Sequence, residues 1–129
     1  MTRPLTIDPT QPFFIFDSRG EVHAVKLGGY LYDMRGDYIG YVRGEFHDVY
    51  TASGEWIGNI YTDGRIVRKR TADRRPLDLN RPSPQPKIRI TARVPLPSMS
   101  ADLGFDKIDV LEWDEEIFKR ISDLMPDRE

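Results

Sequence analysis

The chain has 129 residues, 39% of them hydrophobic and 31% charged, with a formal net charge of −2 at pH 7. That is enough for one ordinary domain with a real core and too little for two, and the absence of cysteine excludes disulfides, thiol nucleophiles and cysteine-based zinc sites. No apolar run approaches the ~20 residues of a membrane span, and none follows the opening MTRPLTIDPT, so neither membrane insertion nor a secretory leader is expected and the cytoplasm is the expected location.

The first half of the chain repeats itself. Residues 14–26 read FIFDSRGEVHAVK, residues 30–42 YLYDMRGDYIGYV and residues 48–60 DVYTASGEWIGNI. An aromatic residue (Phe16, Tyr32, Tyr50) precedes a glycine (Gly20, Gly36, Gly54) by four positions, and an acidic residue (Glu21, Asp37, Glu55) follows it directly. Four positions beyond each glycine stands a small residue, Ala24, Gly40 or Gly58. The glycines, with polar residues before them, suit chain reversals. The tracts between are rich in Tyr, Ile, Val and Phe, which favour pleated surface. Strands are expected over 12–17, 21–27, 30–33, 37–43, 45–51, 55–61 and 65–70, with Asp63-Gly64 as a further hairpin turn. Ala24, Gly40 and Gly58 fall mid-strand, where a glycine needs a reason. Close backbone approach in a closed arrangement of hairpins is one; β-bulges are the other.

Residues 71–86, TADRRPLDLNRPSPQP, hold four prolines and read as an extended loop. Residues 87–94, KIRITARV, alternate apolar and charged positions, which predicts an eighth strand partnering 65–70. Near the end the period changes. Asp109 is placed to cap a helix with Glu112 three positions on, and Val110, Trp113, Ile117, Ile121 and Leu124 make its apolar stripe. The pattern predicts an amphipathic helix of about 14 residues, ended by Pro126.

With the repeats aligned, FDSRGEVHAV, YDMRGDYIGYV and YTASGEWIGNIYTDGRIV resemble a small bacterial family, the four-fold beta flower domain. The resemblance spans residues 12–70, or to 94 if a fourth petal includes the proline-rich loop. It implies four antiparallel β-hairpins set as petals around a pseudo-four-fold axis, and it supplies no catalytic or binding motif. Ala24 departs from it where a glycine is expected.

Charge is unevenly placed: residues 1–64 carry five basic and nine acidic side chains, 65–93 ten and two, and 94–129 four and ten. Arg65, Arg68, Lys69, Arg70, Arg74 and Arg75 are candidate polyanion contacts, with Tyr38, Tyr41 or Tyr61 as bases' stacking partners. The same tract can instead dock on the chain's own Glu112, Asp114, Glu115 and Glu116. The helix stripe offers Trp113, Ile117, Phe118, Ile121, Leu124 and Met125 as an interface for a second copy or another protein, unless it folds back on its own strands. His23 and His47 have no metal-ligand spacing, and Asp17 and Asp33 are better explained as turn residues than as a cation site. Ser53-Gly54 is a turn, not a nucleophile elbow. No motif implies a catalytic residue, a metal or a cofactor.

The sequence therefore predicts a mainly β protein: four hairpins in a closed pseudo-four-fold arrangement over 12–97, then a linker and acidic amphipathic helix over 98–129. Its expected role is a small structural or protein-interaction module. The alternatives are polyanion binding through the tract 65–93 and an enzyme of unspecified class.

Overall fold

The computed structural model describes residues 10–97 and 102–119. Eight strands follow in chain order: β1 (Phe13–Phe16), β2 (Val22–Leu27), β3 (Tyr30–Asp33), β4 (Tyr38–Arg43), β5 (Asp48–Thr51), β6 (Trp56–Ile60), β7 (Ile66–Lys69) and β8 (Lys107–Asp109), then a one-turn helix α1 (Val110–Trp113). They make a single antiparallel sheet in which each strand pairs with its neighbours in sequence. Among the described residues no helix is long and apolar enough to cross a membrane.

The repeat is present in the backbone. The amides of Asp17, Asp33 and Thr51 donate to the carbonyls of Glu21, Asp37 and Glu55, each at 2.9 Å, and the amides of Gly20, Gly36 and Gly54 donate back to the same three residues, again at 2.9 Å. Beyond each turn the pairing slips by one residue. Ile15 faces Ala24 but Phe16 faces Val22; Leu31 faces Gly40 but Tyr32 faces Tyr38; Val49 faces Gly58 but Tyr50 faces Trp56. Three bulges, at His23, Ile39 and Ile57, thus occupy equivalent positions, and bulges increase twist and bend their strand. Their repetition curls the sheet.

Ala24, Gly40 and Gly58 are equivalent, as expected, and stand directly after the bulges. The expected β-bulges are present; the expected convergence in a closed arrangement is not, because the sheet is open. A Cβ on Gly58, whose φ is +155°, would lie 2.8 Å from the Val67 carbonyl oxygen, and one on Gly40 would collide with the Tyr50 carbonyl. What approaches each glycine is the backbone of the next strand in the sheet.

Curling gives the sheet two apolar faces. Ile15, Ala24, Leu31, Val49, Ile57 and Ile66 fill the concave side, capped by Val110, Leu111 and Ile117. Phe14, Phe16, Val25 and Tyr32 form a second core on the convex side, covered by Ile88, Ile90 and Val94. Period-two alternation along β1 to β5 sorts the residues between these faces.

Three expectations are corrected here. The hairpins do not close: β1 and β8 are the ends of an open sheet, a curled half-barrel. β8 has three residues and runs straight into α1, so it cannot carry a ladder around to β1. A polar seam spans the gap instead. The Phe16 amide donates to the Gly64 carbonyl at 2.9 Å, Ser18 Oγ donates to Asp109 Oδ2 at 2.6 Å, and Arg65, 2% exposed, joins Asp63 at 2.6 Å and Ser18 Oγ at 2.9 Å.

The second correction concerns residues 87–94, which form no strand; β8 takes the expected place beside β7. Residues 74–97 are a strap across the convex face. The Asp78 amide donates to the Gly54 carbonyl at 2.9 Å and the Ile88 amide to the Gly36 carbonyl at 3.0 Å, while Pro97 packs at Gly20. The strap therefore passes the three turns in reverse order, one for every nine or ten of its residues. Its apolar positions are drawn to the aromatic face, and prolines on both sides keep it out of a ladder.

α1 is far shorter than predicted. Asp109 caps it as expected, its Oδ1 accepting the Glu112 amide at 3.3 Å, but the helix ends at Trp113 and residues 115–119 continue as turns. Three consecutive acids, Asp114, Glu115 and Glu116, oppose the dipole at the C-terminal end of a helix.

Candidate functional site

The strap accounts for much of the basic tract. Arg74 pairs with Glu55 at 3.7 Å, Lys87 with Asp37 at 3.6 Å, and Arg75 with Asp48 at 3.4 Å while lying 3.9 Å from the Trp56 ring centroid. Arg65 belongs to the seam. Arg70 Nε donates to the Phe105 carbonyl at 2.6 Å, and Arg68 stands 5.6 Å from the Trp113 ring. Asp48, Glu55 and Asp63, on the hairpins and the turn before β7, are thus carboxylates that answer the tract. Of the tyrosines expected to be open to bases, Tyr41 is 1% exposed, stacked on Tyr50 with centroids 5.1 Å apart, and donates its hydroxyl to Asp78 at 2.6 Å. Burial, together with the neighbouring carboxylate, pushes the Tyr41 phenol well above its ordinary range.

Lys69 differs from these. It faces Lys107 directly in the β7–β8 ladder, and both border a cleft of about 600 Å³ whose walls include Phe46, Trp56, Tyr61 and Val67. Phe46 is 53% exposed. Arg68 and Arg75 also reach this cleft, and no carboxylate is among the described residues lining it.

The proposed interface residues separate. Ile117 is 2% exposed in the concave core and Phe118 packs against it, whereas Trp113 is 61% exposed. Ile121, Leu124 and Met125 lie outside the described residues. Beside Trp113 a cleft of about 650 Å³ is lined by Arg65, Arg70 and Lys107 and by Asp102, Asp109 and Glu112, and Phe105, in the loop before β8, is 94% exposed.

Asp17 and Asp33 serve their turns. Asp17 Oδ1 accepts the Arg19 and Glu21 amides at 2.9 and 3.0 Å, and Asp33 Oδ1 accepts those of Arg35 and Asp37 at the same distances. Burial alone would raise the Asp17 carboxyl; the His23 hydrogen bond at 2.9 Å and the two amides outweigh it and hold the group below its ordinary value. Asp17, Glu21 and His23 offer ligand atoms within 4.8 Å of one another. Arg19 already lies 3.4 Å from Asp17 and 3.8 Å from Glu21, which makes the trio an ion-pair cluster around a turn. His47 sits apart in the β4–β5 turn with φ 57°.

Sequence reasoning passed over Lys107, Phe46 and Trp56. The short alternation Lys107-Ile108-Asp109 was the available signal for β8, but it abuts a capping motif that reads as the start of a helix. Comparison with protein-family models, with curated proteins and with solved structures finds no match to this chain.

Proposed function

We propose that the chain is a protein-interaction module that pairs with a second copy of itself across the face around Trp113. The observation that carries this reading is the 61% exposure of Trp113, with Phe105 at 94% nearby in sequence to the same strand. Large aromatics standing in water are characteristic of contact surfaces. The neighbouring cleft carries three basic and three acidic side chains, so the patch can meet its own two-fold copy with opposite charges facing. A polynucleotide would meet those carboxylates as well, which favours the protein partner. Membership of the four-fold beta flower family and a cytoplasmic location belong to the same proposal; the identically bonded turns support the first.

Sedimentation velocity over a concentration series tests it. The wild-type chain is expected to dimerise, and Trp113→Glu to remain monomeric with an unchanged circular dichroism spectrum. A wild-type chain that stays monomeric throughout, or a variant that dimerises equally well, refutes the reading.

A further inference from the structure

We infer that the cleft beside β6 and β7 binds a small planar organic anion, a flat aromatic ring bearing a phosphate, with Lys69 and Lys107 holding the charge. The two lysines are direct cross-strand partners, a position in which side chains stand roughly 5 Å apart and like charges repel. Among the described residues neither ammonium has a salt-bridge partner, although elsewhere on this sheet Arg35, Arg43, Arg74 and Lys87 each have one. No other like charges among the described residues stand directly opposite in the ladders of this sheet, and Arg43 faces Asp48; a local rule broken at one pair marks a site where something else supplies the balance. An anion does so, and ammonium groups suit phosphate as compact point charges.

The cleft also selects for a flat apolar body. Phe46, Trp56 and Tyr61 line it together with Ile60 and Val67, and Arg75 lies over the Trp56 ring, 3.9 Å from its centroid. The cleft volume of about 600 Å³ matches one small molecule rather than a polymer track. Lys107 also lines the cleft beside Trp113, but the inference rests on the cleft beside β6 and β7 and does not require dimerisation, and the Lys69→Gln arm leaves that other face intact.

The full chain is titrated with AMP by calorimetry, with adenosine and inorganic phosphate as the two halves of the probe. AMP is expected to bind at least about tenfold more tightly than either half. Lys69→Gln/Lys107→Gln is expected to lower AMP affinity by about tenfold or more with its melting temperature equal to or above that of the parent. Should that variant fail to fold, Lys69→Gln alone is expected to weaken AMP severalfold. Unchanged affinity in whichever variant folds overturns the inference, as does failure of both AMP and 1-naphthyl phosphate to bind at millimolar concentration. An oligo(dA) that binds far more tightly than AMP and is released steeply by salt overturns it in favour of a polynucleotide.

Discussion

The convex face of the sheet has two unlike ends. Over β1 to β6 the strap covers the aromatic surface and brings cations to the acidic residue after the turn glycine, Lys87 to Asp37 and Arg74 to Glu55. At β7 and β8 the strap has yet to reach the sheet, two lysines confront each other, and Phe46 and Trp56 border open space. The repeated turns thus have a purpose beyond reversing the chain, since each offers a carbonyl or an open α-carbon to the strap. The last strands, which lack an equivalent turn between them, are where charge and aromatic surface are left for other molecules.

The largest effect is expected at the seam that joins the two ends. Arg65→Met removes the buried cation while leaving Asp63 and Asp109 in place, and breaking a buried pair from one side costs about 3–5 kcal/mol, readable as a lower urea midpoint. A much smaller loss would show that the seam does not hold the curl.

Next in size is Gly54→Ala. Its φ of +96° is unfavourable for alanine, and the new Cβ would lie 2.7 Å from the Asp78 carbonyl oxygen, so about 1–3 kcal/mol should be lost. Gly28→Ala provides the contrast, because Gly28 has φ +64° with nothing within 4 Å and should cost only about 1 kcal/mol. Equal losses at both positions would mean that the strap does not press on the turns.

Acid should loosen the strapped end first. Asp17, Asp33 and Asp78 are all held below the ordinary carboxylate value of 3.8: burial acts to raise each, and hydrogen bonds from His23 and backbone amides at Asp17, from backbone amides and Arg35 at Asp33, and from the Tyr41 hydroxyl, the Asn80 amide and Arg43 at Asp78 outweigh it. Each therefore adds stability that is complete above its unfolded-state value and is lost as pH falls through the lower folded-state value. Thermal stability should hold down to about pH 4 and then decline, and Asp78→Asn should flatten that decline. The smallest change is expected at the open end. Lys69→Glu converts the cross-strand repulsion into an attraction and should raise stability by about 0.2–1 kcal/mol; a loss would contradict the view that the lysine pair is strained.

Much of the sheet was legible because its signals are local. The turn glycines, the acidic residues after them and the alternation of Phe14, Ile15 and Phe16 each specify a nearby conformation, and the resulting hairpins follow. The strap was not legible as such. The alternation Ile88, Ile90, Val94 states that the segment is extended and apolar on one side, which is equally true of a strand in a ladder and of a belt laid over an aromatic face. Closure failed for a related reason: local pattern counts strands but does not fix how far the last one extends. The candidate site was legible in Tyr61, Arg68, Lys69 and Arg75, which line the cleft; Lys107 and the rings of Phe46 and Trp56 were not, because they come from other segments that strand pairing brings together.

Amide hydrogen exchange at Asp78 and Ile88 tests the central claim, that the strap is bonded to the turns it crosses. Neither residue lies in a strand, yet their amides donate to the Gly54 and Gly36 carbonyls at 2.9 and 3.0 Å. Both should exchange slowly, far below the rate of an open chain and well below exposed neighbours such as Arg75. Exchange at open-chain rates, with Val25 and Val49 still protected in the sheet, would contradict it.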